Sequence, residues 1–135
     1  MIPTLTKRDS ILLTIKMWEV LASHDYDSKS EAFDCLKVPK DDRPLYGCYC
    51  CEYVKQQGGF AVDPKYGFAK LNCTLCPVWG HDKCCEDIGE AYQCWASAPY
   101  RCCEDNGEES GYDYLREQAQ AIVNLAKEKL REIDA

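Results

Sequence analysis

Apolar positions along the chain fall into two segments of helical period, one near each end, with an irregular middle between them. In the first, Ile11, Ile15, Trp18 and Ala22 recur at three- and four-residue intervals, and Leu13, Met17 and Val20 form a second apolar row. Thr6 and Asp9 stand in the relation of a capping box, with Asp in place of the usual Glu or Gln, so the pattern predicts a helix over residues 6–23. Two apolar rows require contact with more than one neighbour, either as the central helix of a core or as a helix shared with a partner chain. His24, just after the last turn, reads as a C-terminal cap.

Ser28 and Glu31 repeat the capping-box spacing and predict a short second helix over residues 29–36, ended by Pro39. Residues 39–44 read as a connecting loop. Gly58-Gly59 and Asp63-Pro64-Lys65-Tyr66-Gly67 are turn signals, and Phe60–Val62 with residues 68–71 can pair as a hairpin across the second of them. The acidic stretch 104–111 reads as an exposed linker. After it Leu115, Ala119, Ile122, Ala126, Leu130 and Ile133 form one stripe, predicting an amphipathic helix over residues 112–133 of about five to six turns. That stripe is expected to pack on the first helix, because a small domain needs this apolar area to fold; the same spacing also suits a homodimer through the terminal helices.

The expected architecture is a single α+β domain over residues 1–135. It comprises an N-terminal helical part (1–44), a cysteine-rich centre (45–103), the acidic linker (104–111) and the C-terminal helix (112–135). At 135 residues and 15.4 kDa the chain is one domain's worth of material. Its net charge of −7 has the wrong sign for neutralising phosphates, which argues against nucleic acid and anionic membranes as partners. No apolar run approaches the roughly 18 residues a membrane span needs. Asp9, Lys16 and Glu19 interrupt the first segment where a secretory signal would be apolar, so a cytoplasmic location is expected.

Eleven cysteines are the outstanding feature of the composition. In a reducing compartment such density points to metal ligation rather than disulfides. Cys48-x2-Cys51 and Cys73-x2-Cys76 are two knuckles separated by 21 residues, close to the template of a four-thiolate zinc site. The spacing predicts a structural Zn2+ held by Cys48, Cys51, Cys73 and Cys76, with no open position for a catalytic water. Cys50, His81, Cys84 and Cys85 lie near enough in sequence to replace one of the four. A second cluster could draw on Cys84 or Cys85, Cys94, Cys102 or Cys103 and His81, while neither ferredoxin spacing is present.

Cys48-x2-Cys51, Asn72-Cys73-x2-Cys76-Pro77-Val78, a later Cys84 or Cys85 and Tyr92-x2-Trp95 resemble small zinc-binding proteins of tailed bacteriophages. The resemblance spans about residues 48–95. It implies a phage-encoded intracellular protein with a zinc-ribbon or treble-clef-like centre and carries no established activity; Cys50, Cys94, Cys102 and Cys103 depart from the pattern. Tyr46-Gly47-Cys48-Tyr49-Cys50 and Gly80-His81-Asp82-Lys83-Cys84-Cys85 also resemble elements of secreted phospholipases A2. In that family the double cysteine precedes the His-Asp pair on one helix, and here the order is reversed.

No phosphate-binding loop is present, since Gly58-Gly59 lacks the following Lys-Ser/Thr, and the acidic clusters read as solvated. Tyr112 and Tyr114 are candidate interface residues. The sequence therefore predicts a non-enzymatic, phage-type accessory protein that acts by binding a host or viral protein, possessing zinc but no catalytic residues. The alternatives are a thiol-dependent enzyme or redox protein centred on His81 and Cys84 or Cys85, and a secreted disulfide-rich, phospholipase-like scaffold.

Overall fold

In the computed structural model, the residues described are 2–26, 28–44, 47–62, 69–71, 75–79, 92, 95–96 and 108–134. Helix α1 spans Lys7–Ser23. Its capping box forms as the sequence indicates: the Asp9 amide donates to Thr6 Oγ1 at 3.0 Å and the Thr6 amide donates to Asp9 Oδ2 at 3.4 Å. At the other end His24 Nδ1 lies 2.9 Å from the Val20 carbonyl, and its ring stacks on Tyr26 with centroids 4.9 Å apart. This is the capping role expected of His24.

Helix α2, Lys29–Cys35, is capped by Ser28, whose Oγ accepts from the Glu31 amide. It stops one residue before the expected end, and not because of Pro39. The Lys37 amide donates to Asp34 O at 3.1 Å and the Val38 amide to Phe33 O at 2.9 Å, a Schellman stop with Lys37 at φ 58°. Glycine is the usual residue in this left-handed position, and a β-carbon there costs about 1 kcal/mol. Lys37→Gly is expected to raise stability by about 0.5 kcal/mol, because the added freedom of the unfolded glycine returns part of the gain. A lower denaturant midpoint in the variant would contradict this. Arg43 holds the loop against α2, donating to Asp34 Oδ1 at 2.6 Å, Ser30 Oγ at 3.1 Å and the Val38 carbonyl at 3.2 Å, with its guanidinium over the Phe33 ring.

Helix α3, Tyr49–Gln56, occupies the start of the cysteine-rich segment. It ends in a second Schellman stop, with the Gly58 amide on Lys55 O, the Gly59 amide on Val54 O at 2.8 Å, and Gly58 at φ 70°. Gly59 leaves no room for a side chain: a β-carbon would lie 2.5 Å from Val54 Cγ1 and 2.8 Å from the Val54 carbonyl oxygen. Because a backbone atom is one of the obstacles, Gly59→Ala is expected to cost about 1–3 kcal/mol, measured by urea unfolding. Phe60–Val62 then pairs antiparallel with Ala69–Leu71, Phe60 opposite Leu71.

Helix α4, Glu108–Asp134, has 27 residues and is about 40 Å long at ~1.5 Å rise per residue. It runs antiparallel to α1, as three ion pairs show: Arg8 with Asp134 at 3.0 Å, Glu19 with Lys127 at 3.9 Å, and Asp25 with Arg116. Such exposed pairs set register more than stability. Apolar burial supplies the stability. Ile11, Ile15, Met17, Trp18 and Leu21 of α1 meet Leu115, Ala119, Ile122, Val123 and Ala126 of α4, all buried in one core with Ala32, Phe33, Tyr49 and Cys50. Helix α1 touches α2, α3 and α4, which makes it the central helix.

The expected α+β class is corrected by this arrangement. Among the described residues four α-helices carry the fold, and the paired strands, three residues each, are too short to form a sheet layer. The expected ribbon-like centre begins instead as α3, because Tyr49, Cys50 and Val54 fall on one face and are buried. The linker expected at 104–111 is likewise corrected in part: residues 108–111 are helical, and 104–107 lie outside the described residues. Ile133, expected on the buried stripe, is 37% exposed at the rim of a cavity that Lys7 also borders. No helix among the described residues is long and apolar enough to cross a membrane.

Candidate metal centre

Four of the five described cysteines gather around the N-terminus of α3. Cys48 is the N-cap residue, with extended backbone at φ −133° and ψ 117°. Cys50 and Cys51 sit in the first turn, and Cys76 comes from the segment 75–79. Cys35 stands apart, exposed at the end of α2, and none of the five is in a disulfide.

Helical geometry dictates which sulfur faces where. Cys50 lies on the same face of α3 as Val54, one turn on, and is fully buried against α1, where its Sγ is 3.3 Å from Thr14 Oγ1. The Thr14 hydroxyl already donates to the Ser10 carbonyl at 2.7 Å, so it offers Cys50 a lone pair and the S–H donates. Cys48 and Cys51, three residues apart across the first turn, are half-buried.

Sulfur contacts run in the order Cys51, Cys48, Cys50, Cys76. They separate the thiols electrostatically. The neighbouring sulfurs of Cys48 and Cys76, reinforced by burial, push the Cys50 thiol well above the ordinary range, so it stays protonated. Cys48 is held well below that range, first by the Cys50 thiol, then by the Cys51 thiol, with help from the Lys29 ammonium and against the effect of burial. The Cys50 thiol also lowers Cys76, and the backbone amides of Trp79 and Val78 add to it. One S–H on Cys50 cannot serve Thr14, Cys48 and Cys76 together.

Lys29 is already engaged elsewhere. Its Nζ donates to Tyr92 Oη at 2.9 Å and lies 4.2 Å from the centroid of the Tyr92 ring. Trp18, Tyr92 and Trp95 complete an aromatic group beside it, with Trp18 edge-on to Trp95 at 5.0 Å.

Of the four expected zinc ligands, Cys48 and Cys51 lie at the N-terminus of α3, Cys76 reaches them only through Cys50, and Cys73 lies outside the described residues. His81, Cys84, Cys85, Cys94, Cys102 and Cys103 also lie outside them. Among the described residues no group of three or more His, Cys, Asp or Glu side chains converges to hold a metal ion. The donor chemistry fits zinc, since two of the three sulfurs sit where the thiolate is favoured, but a fourth donor is needed to close a shell. Sequence reasoning treated Cys50 as a complication inside the first knuckle, whereas it is the hub of the sulfur contacts. Its signal was helical spacing to Val54, which marks the inward face.

Beyond Cys76 the surface opens into a cavity of about 380 Å³ between the start of α1, the end of α3, segment 75–79 and the end of α4. Tyr53, Pro77, Val78 and Trp79 line it, and Lys7 and Lys129 border it. No family model, curated protein or solved structure matches the chain, so these residues alone carry the functional argument.

Proposed function

We propose that the chain is a small helical accessory protein with one structural zinc ion, and that it works by binding another protein rather than by catalysis. The C-x2-C pair Cys48 and Cys51 at the N-terminus of α3, with Cys76 joined to it through Cys50, is the observation that carries this reading. Cys48, Cys51 and Cys76 would hold the ion together with Cys73. Bound there, zinc would supply charge neutralisation and a cross-link between α3 and the segment around Cys76, both of them structural contributions. The likeness of the cysteine spacing to small zinc proteins of tailed bacteriophages points to the same accessory role.

A second reading is favoured by one local feature: Cys48 and Cys51 form a C-x2-C pair at a helix N-terminus with the first thiol lowered, the setting of thiol–disulfide exchange. Native mass spectrometry beside a denatured, alkylated sample separates the two. One zinc per chain, with Cys48 slow to alkylate until the metal is withdrawn, supports the staple. A metal-free chain with Cys48 alkylated fastest would replace it with the redox reading.

A further inference from the structure

We propose that the cavity between Lys7 and Lys129 is a docking site for a partner segment that presents an apolar side chain beside a carboxylate. This deepens the protein-binding reading by naming the partner's chemistry.

At about 380 Å³ the cavity is at the lower end of ligand-pocket sizes, roughly 300–1,000 Å³, and suits a side chain or two rather than a large cofactor. Its floor is apolar: Val78 and Pro77 are buried, and Tyr53 and Trp79 form walls. The apolar surface continues past the cavity, where Leu75 is 48% and Ile133 37% exposed, two of three large hydrophobics that the described residues leave in water. A segment of chain can cover both flanks while anchoring one side chain between them. An isolated small molecule of the cavity's size cannot.

Charge selects the second half of the ligand. Lys7, the first residue of α1, has no ion pair among the described residues, and Lys129 faces Glu132 at 3.5 Å. The border thus carries two cations and one carboxylate in a chain of net charge −7. At physiological salt charges act over about 8 Å, so the charges at the cavity border, rather than the net charge of the whole chain, set the sign felt by a docked group. Lys7 would receive the partner's carboxylate, and Glu132 would compete with it for Lys129.

The test uses the full chain loaded with zinc, with metal content measured on the same sample. A short peptide carrying one phenylalanine between glutamates is titrated, following Trp79 fluorescence and amide shifts of residues 75–79. Controls are the same peptide with lysines for glutamates, with serine for phenylalanine, and free 4-phenylbutyrate. Saturable binding of the acidic peptide is expected, weakened by salt. Losing either the phenylalanine or the acid should abolish it. Lys7→Glu should weaken it about tenfold and Glu132→Gln strengthen it a few-fold. An acid at the first turn of a helix is favourable, so the Lys7 variant should fold normally.

Equal binding of the lysine peptide, or indifference to Lys7→Glu, would overturn the proposal. So would 4-phenylbutyrate binding as tightly as the peptide, or self-association of the chain that occludes residues 75–79. Absence of binding by zinc-loaded protein refutes the docking site and leaves the metal reading standing. Binding by a metal-free chain does the reverse.

Discussion

Trp18→Ala is expected to destabilise the protein by about 3–5 kcal/mol, a large part of the 5–15 kcal/mol typical of a whole domain. Trp18 is 3% exposed on α1, the helix that the other three touch. Its ring meets Trp95 edge-on at 5.0 Å and Tyr92 at 6.0 Å, and the Lys29 ammonium lies 6.0 Å from its centroid. Alanine would remove the apolar area, two edge-to-face contacts and part of the seat of Lys29 at once, leaving a void that close-packed neighbours fill only in part. Trp18→Phe keeps a ring and should cost less than half as much. Urea unfolding of the two variants decides it: a loss below about 1 kcal/mol for Trp18→Ala would mean that the aromatic group contributes little to the fold.

The Lys29 contact explains why this site matters beyond packing. The same ammonium lowers Cys48, so a shift of Lys29 reaches the thiols through charge. Trp95 carries a cost of its own, since its Nε1 is buried with no hydrogen-bond partner among the described residues. Trp95 therefore holds by area and ring geometry, while the polar contact of the group is that of Lys29 with Tyr92.

Both terminal helices were legible because their signals are local. The capping residue Thr6 of α1 and the three- to four-residue period of both need no knowledge of distant contacts, and the Ser28 cap made the short α2 legible in the same way. Helix α3 was not, because Cys48 and Cys51 were read as ligands with Cys50 as a possible substitute, and all three were left out of the apolar count; counted as small apolar residues, Cys50 and Val54 mark an inward face. The early start of α4 was hidden for a similar reason. Residues 108–111 are polar with one glycine and carry none of the apolar period that marks the stripe downstream.

In the candidate site, the C-x2-C spacing is legible as one turn carrying Cys48 and Cys51, whereas Cys76 joins them only through Cys50. The position of Cys50 depends on Thr14, 36 residues away in sequence, and such a contact leaves no local trace. Likewise the cavity exists only where the ends of α1, α3 and α4 come together.

If the proposed zinc ion is bound, its withdrawal by a chelator is expected to have an effect larger than any single core substitution, but a local one. Metal binding at structural thiolate sites is worth about 10–16 kcal/mol of apparent free energy, and most of it becomes folding energy where the ligands are otherwise disordered. Here the two longest helices do not depend on the cluster: α1 and α4 bury Ile11, Ile15, Leu21, Ala119, Ile122 and Ala126 against one another and are linked end to end by ion pairs. The metal-free chain should thus keep most of its far-UV helical signal while losing ordered structure in α3 and around Cys76. Those segments would be left with crowded sulfurs, a buried Cys50 and the short Phe60–Leu71 ladder to hold them. Amide hydrogen exchange reads the difference: residues 49–56 and 75–79 should lose protection on chelation, and residues 119–126 should retain it. Cys48→Ser should reproduce the chelated pattern. Cys50→Ala, which removes the hub but no expected ligand, should keep the metal and lose about 1–2 kcal/mol of packing. Unchanged exchange after chelation would remove zinc from the account of this fold, and loss of protection along α4 as well would show that the helical pair cannot stand without the staple.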